Sequence, residues 1–281
     1  MTLAKKSFKT KIKSAIYTLL AFLLSFLIFF ISLCFVLKVT FLNPDFIYDN
    51  MNTSHYFADK KDEVTQTLID LGYASGLNES FFENFVDEVM INEDTHNYIM
   101  GYYEGKTTEI DTTNFKQSFN SALNDYIVAN SIENVNSSSR EYLIKEAAKL
   151  YRNSLELPIF TTIAPYVRAI NSYIIFIMLG LVLFMAIICI VMIFTNKWKH
   201  RALKYFYYST SGAFLAIAII PITAFITGFI KKINLESRSL YNLVVQGVNN
   251  IMIATLICAI VFLLISIALY FAHKAMRKKA V

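Results

Sequence analysis

Four stretches of this chain carry no Asp, Glu, Lys or Arg: Ser14–Leu37, Ala169–Asn196, Tyr205–Ile230 and Ser239–His273. A bilayer's hydrocarbon core is ~30 Å thick, and roughly 20 apolar residues in a helix cross it. All four stretches are long enough. The last is longer than lipid requires, so its first turns are expected to stand above the membrane. With 56% apolar residues, the chain is too hydrophobic for an ordinary soluble domain. The first stretch exceeds the apolar core of a secretory signal, and no small-x-small cleavage site follows it. Ile31-Ser32-Leu33-Cys34 departs from a lipoprotein box at the bulky Leu33. Membrane helices are the expectation for all four.

Charge is sorted along the chain. Residues 42–168 hold 20 of the 21 acids and 9 of the 26 basic residues, a net −11, and the remainder nets +16. The basic residues flank apolar stretches instead of forming one patch, which argues against nucleic-acid binding. Lys5, Lys6, Lys9, Lys11 and Lys13 precede the first span, Lys197, Lys199, Arg201 and Lys204 join the second to the third, and Lys274, Arg277, Lys278 and Lys279 follow the fourth. The positive-inside rule then predicts both termini in the cytoplasm and the acidic stretch outside. Lys231, Lys232 and Arg238 lie on the outer side against thirteen basic residues inside.

The predicted fold class is an all-α integral membrane protein: four transmembrane helices with an extracytoplasmic α-helical bundle inserted between the first and second. The expected segments are 1–13 (basic cytoplasmic N-terminus), 14–41 (first span), 42–168 (outer helical domain), 169–196 (second span) and 197–204 (cytoplasmic loop). Then come 205–230 (third span), 231–250 (outer loop and membrane-proximal helix), 251–273 (fourth span) and 274–281 (basic cytoplasmic tail). The cell membrane is the expected location, and the Lys-, Asn-, Ile- and Phe-rich composition suggests a low-GC Gram-positive source.

Within 42–168 apolar residues recur with a period near 3.6, which predicts four or five helices. Ala58–Leu71 presents Val64, Leu68 and Leu71, closed by Gly72 and Gly76. A second helix, capped by Asn78 or Ser80, aligns Phe81, Phe85 and Val89 beside Phe82, Val86 and Met90. A short third follows Asp94, and a fourth from Thr112 or Thr113 buries Phe115, Phe119, Leu123 and Tyr126. The fifth opens on a Ser138-x-x-Glu141 capping box and ends at Pro158. Tyr98, Tyr102, Tyr103 and Glu104 are the candidate partner surface of this domain, although Tyr102 and Tyr103 also suit closure of its core.

Span one is bulky all round and expected at the rim of the bundle. Span three is expected at its centre, because small residues allow close helix approach in lipid. Its candidate packing residues are Gly212, Ala216, Ala224 and Gly228, with Ser209 and Ala213 forming a further pair, and Pro221 is a candidate kink. Gln246, Asn249 and Asn250 share one helical face near the outer interface.

Chemistry-bearing motifs are absent. No Walker loop, G-x-G-x-x-G, H-E-x-x-H or G-x-S-x-G occurs. Glu93, Asp94 and His96 match no tight metal-ligand spacing. Cys34, Cys189 and Cys258 all fall in spans, so no disulfide framework supports the polar domain. The span interiors hold no ionisable residue of the kind pumps and coupled transporters use. No cofactor, metal or enzymatic activity is expected. The expected partners are the lipid bilayer and a protein bound outside or within the membrane, with the chain acting as sensor, scaffold or adaptor. The order of span, large outer domain and three further spans resembles, in topology alone, the cell-division permease-like protein that partners an ABC-type ATPase. That resemblance implies a permease-like subunit docking an ATPase through Lys197–Lys204, a loop without an obvious coupling helix.

Overall fold

The computed structural model describes residues 2–73, 75–106, 109–132, 136–196 and 199–278. The described residues form helices joined by short turns, with no strand among them. The order is α1 (Thr2–Val39), α2 (Pro44–Thr53), α3 (Tyr56–Tyr73), α4 (Glu79–Phe85), α5 (Glu88–Glu104), α6 (Thr113–Ala129) and α7 (Ser137–Leu155). It continues with α8 (Pro158–Phe194), α9 (Lys199–Thr227), a 3₁₀ turn (Phe229–Lys232) and α10 (Arg238–Lys278). Four of these helices are long and apolar enough to cross a membrane, over Ile12–Val39, Pro165–Phe194, Lys199–Thr227 and Arg238–Lys278.

Two compact units result. An apolar unit takes Met1–Leu42, Asn171–Lys232 and Val248–Val281, and a polar unit takes Asn43–Ile170 and Ile233–Gly247. The polar unit therefore includes the segment that opens α10. At 41 residues α10 is about 60 Å long, twice the hydrocarbon thickness.

Asparagine and aspartate side chains start most helices of the polar unit. Asn43, Asn78, Asp87 and Asn136 each sit in extended backbone and accept a hydrogen bond from the amide of residue 45, 81, 89 and 138 respectively. Four differences from the sequence reading follow from such local chemistry. Pro44 opens α2, a helix the pattern did not reveal, because proline lacks the amide that a first turn leaves unbonded anyway. The expected second helix breaks at Val86, where Asp87 caps α5; Val89 is 60% exposed instead of continuing the Phe81–Phe85 row. The third helix is consequently longer than expected. Asn136, not Ser138, caps α7, and Pro158 both follows the end of α7 and begins α8.

The core of the polar unit is aromatic. Phe115 stacks on Tyr151 at 4.2 Å, Phe85 meets Phe119 edge-on at 5.2 Å, and Phe82, Phe115, Phe119 and Tyr151 are fully buried. Helix α3 runs through the middle and touches α2, α4, α5 and α7. Its Gly72 is required by contact: a Cβ there would lie 2.2 Å from Cε2 of Phe82.

In the apolar unit the principal packing is α1 against α9. Tyr17, Ala21, Leu24, Ile28, Ser32 and Val36 form one buried row on α1, while Leu19, Phe22 and Phe26 remain exposed. Span one thus packs along one face and leaves the other free. Leu24, Leu27 and Ile28 cluster with Ile188 and Met192 of α8 and with Ala213 of α9. Polar ties add to this. Tyr17 donates to Thr195 Oγ1 at 2.9 Å, Lys38 donates to Asn171 Oδ1 at 2.5 Å, and the Ser211 and Ser266 hydroxyls lie 2.5 Å apart.

The small residues of α9 divide by role. Ser209, Ala213, Ile217, Ala218 and Pro221 are buried. Gly212 faces α1, where a Cβ would come within 2.8 Å of Ser25 Oγ. Ala216 is exposed and Ala224 half-buried, so the 212/216 pair is not a seam. Gly228 packs against nothing; it ends α9 in the left-handed conformation at φ +59°, a position that suits glycine. The helix continues through Pro221 to Thr227.

Candidate functional site

The most concentrated polar chemistry in the polar unit lies where α3 meets the start of α10. Successive turns of α3 place Asp59, Lys60 and Glu63 toward residues 237–242. The Glu63 carboxylate accepts from Ser239 N at 2.9 Å, from Ser239 Oγ at 2.9 Å and from Ser237 Oγ at 2.9 and 3.0 Å. Lys60 Nζ completes the set at 2.6 Å from Oε2. Asp59 binds Arg238 Nε at 3.1 Å and accepts from Asn242 Nδ2 at 2.7 Å. Ser237 in turn caps α10 by accepting from the Leu240 amide at 3.2 Å. The first amides of a helix lack partners and carry its positive dipole end, so a carboxylate there satisfies both needs.

The latch is mostly hidden from solvent. Ser239 is fully buried, Lys60 is 4% exposed, and the Glu63 side chain is 28% exposed. Burial raises the Glu63 carboxyl, but the hydrogen bonds from Lys60, Ser239 and Ser237 and the Lys60 charge outweigh it and hold the group below its ordinary value. Lys60 Nζ also stands 5.6 Å from the ring centre of Tyr56. Tyr56 is fully buried, and its hydroxyl has no hydrogen-bond partner among the described residues. Burial first, then the Glu63 charge, pushes that phenol well above its ordinary value. The ammonium and carboxylate thus neutralise each other inside a site where either alone would be costly. Nothing in the spacing of Asp59, Lys60 and Glu63 pointed to this, because their partners are about 175 residues away in sequence.

The sequence-derived partner surface is corrected. Tyr98 and Tyr102 are each 2% exposed and belong to the core of the polar unit. Burial, with the Glu156 charge adding to it, pushes the Tyr98 phenol up to about 12. Tyr103 is half-buried against the Tyr102 ring at 5.4 Å, and Glu104 is exposed and paired with Lys106 at 2.6 Å. Only Glu104 remains as open surface. Gln246, Asn249 and Asn250 are half-buried on α10. Asp94 receives the Tyr151 hydroxyl at 2.6 Å, and among the described residues no three His, Cys, Asp or Glu side chains converge as a metal site would require.

No family model, curated protein or solved structure matches this chain.

Proposed function

We propose that the chain is a non-enzymatic multi-pass protein of the cell membrane, with both termini in the cytoplasm and the polar unit outside. There it binds a protein partner and acts as a sensor, scaffold or adaptor. The charge sorting supports the orientation, since the three strongly basic segments flank spans on one common side. The observation that carries the functional reading is the latch. Asp59 and Glu63 hold the opening turn of α10 within the polar unit, and the same helix continues as an apolar span. A partner that loads the polar unit therefore acts on a body that contains the opening turns of the helix whose later residues form the last span.

Two measurements test this. Single cysteines at Ser121 and at Lys6, in a chain with Cys34, Cys189 and Cys258 replaced by serine, are exposed to a membrane-impermeant thiol reagent in intact cells. Labelling at 121 and not at 6 is expected; the reverse overturns the orientation. Crosslinking from polar-unit positions in native membranes is expected to trap a protein that deletion of residues 43–168 releases. Unchanged recovery after that deletion would sink the adaptor reading.

A further inference from the structure

Between α4, the start of α5 and α6 the polar unit carries an open groove with a cavity volume of about 820 Å³. Phe81, Phe85, Met90 and Tyr126 line it, and Ser118, Ser121 and Ala122 keep the α6 wall low. Phe81 is anchored by edge contacts to Phe119 at 5.6 Å and Tyr126 at 5.3 Å, so the apolar floor is preformed. The charged residues that line the groove are Asp87 and Asp125, both exposed.

The surroundings have the same sign. Helices α4 and α5, which supply two of the groove's walls, carry acids and no Lys or Arg. Glu83, Glu88 and Glu93 are exposed on α4 and α5. Among the described residues no basic side chain pairs with Glu83, Asp87, Glu88, Glu93 or Asp125, although the chain pairs acids elsewhere. An apolar floor inside an unneutralised acidic rim selects its occupant. Anionic lipid headgroups and nucleic acid are repelled. A purely apolar segment would leave the aspartates uncompensated. A helix with an apolar stripe flanked by cations satisfies both parts.

We propose that this groove docks a basic amphipathic helix of a protein partner. Its aliphatic or aromatic anchors rest on Phe81, Phe85, Met90 and Tyr126, and its Lys or Arg side chains face Asp87 and Asp125. The proposal rests on the adaptor reading above and narrows it to one surface and one ligand chemistry.

The test uses the full chain in zwitterionic nanodiscs, with empty discs as blank, and three labelled synthetic peptides followed by fluorescence anisotropy. One peptide carries Leu and Phe at i, i+3, i+4 and i+7 with flanking lysines. The second scrambles that stripe at constant composition, and the third replaces the lysines with glutamates. The striped basic peptide is expected to bind at least about tenfold more tightly than either control, and to weaken as salt shortens the ~10 Å screening length. Asp87→Ser with Asp125→Asn keeps the α5 cap and is expected to weaken binding about tenfold and flatten its salt dependence. Met90→Gln should weaken it at every salt concentration. Equal affinity of the three peptides, absence of binding, or binding untouched by these substitutions overturns the proposal. Native crosslinks from the polar unit separate the two claims. If they persist in the Asp87→Ser/Asp125→Asn chain, the groove is wrong and the adaptor reading stands. If no polar-unit position traps a protein at all, the adaptor reading itself falls.

Discussion

Replacing Glu63 by alanine tests the latch most directly. The substitution removes one carboxylate that four donor groups share, and it strands Lys60, which is 4% exposed, without a counter-charge. Breaking a buried ion pair from one side costs about 3–5 kcal/mol. The Glu63 side chain is 28% exposed, which places the cost near the lower end, at about 3 kcal/mol. Because the first amides of α10 depend on Glu63 and Ser237, this loss should appear as local opening. An opening free energy lower by about 3 kcal/mol speeds hydrogen exchange of the Ser239–Asn242 amides by about 150-fold where exchange reports the opening equilibrium. Glu63→Gln keeps one acceptor oxygen for the serines but loses the charge and turns the second oxygen into a donor, for about half that effect. The double change Lys60→Met with Glu63→Gln should recover much of the loss, since an absent pair is cheaper than a half-removed one. Hydrogen exchange by mass spectrometry on the purified full chain reads all three. Exchange of residues 239–242 within about threefold of the unchanged protein in Glu63→Ala would refute the reasoning. A double variant as unprotected as the single would refute it equally.

Four further outcomes are expected. The Glu63 carboxyl is depressed in the folded chain, so the latch is complete above the ordinary glutamate range and fails only as pH falls through the lower, folded value; exchange of residues 239–242 should rise there, and not at mildly acidic pH. Asp94 behaves oppositely: burial, then the charges of Asp111 and Glu93, raise it despite the Tyr151 hydrogen bond, so its contribution is lost as pH rises through the ordinary aspartate range toward the folded value. Asp94→Asn should therefore raise thermal stability at neutral pH and flatten its pH dependence, as scanning fluorimetry would show. Gly72→Ala should cost about 1–3 kcal/mol by driving a methyl into the buried Phe82 ring, and Phe82→Leu should relieve part of it. In the apolar unit, Gly212→Leu should lower the detergent unfolding temperature because it collides with α1 at Ser25, whereas Ala216→Leu, on an exposed face, should not.

Much of the architecture was readable from residue order. Charge-free windows mark the four long helices, because an uncharged run of that length has few other stable fates. The period of 3.6 marks helices in the polar stretch, and Phe115, Phe119 and Leu123 lie buried on α6 as their spacing implies. Helix ends were less legible. The break at Val86 depends on whether Asp87 caps or continues a helix, and both conformations suit the local sequence. Burial of Tyr102 was open for a similar reason, and Tyr98, read as surface, lies in the core. A tyrosine is amphipathic, and only its neighbours decide whether its ring faces core or water.

Composition and period by themselves therefore determined the class of this protein: all-helical, four potential spans, and an acidic polar stretch after the first. Those properties are sums over many local residues, so no single distant contact decides them. Tertiary structure decided which faces meet. It turned the uniformly bulky α1 into the principal partner of α9, and it assigned Gly228 to a helix end and Gly212 to a contact. It also brought Asp59 and Glu63 to a helix start far along the chain. Such pairings depend on where the chain returns in space, and the return of residues 233–247 to α3 leaves no local signature in either segment.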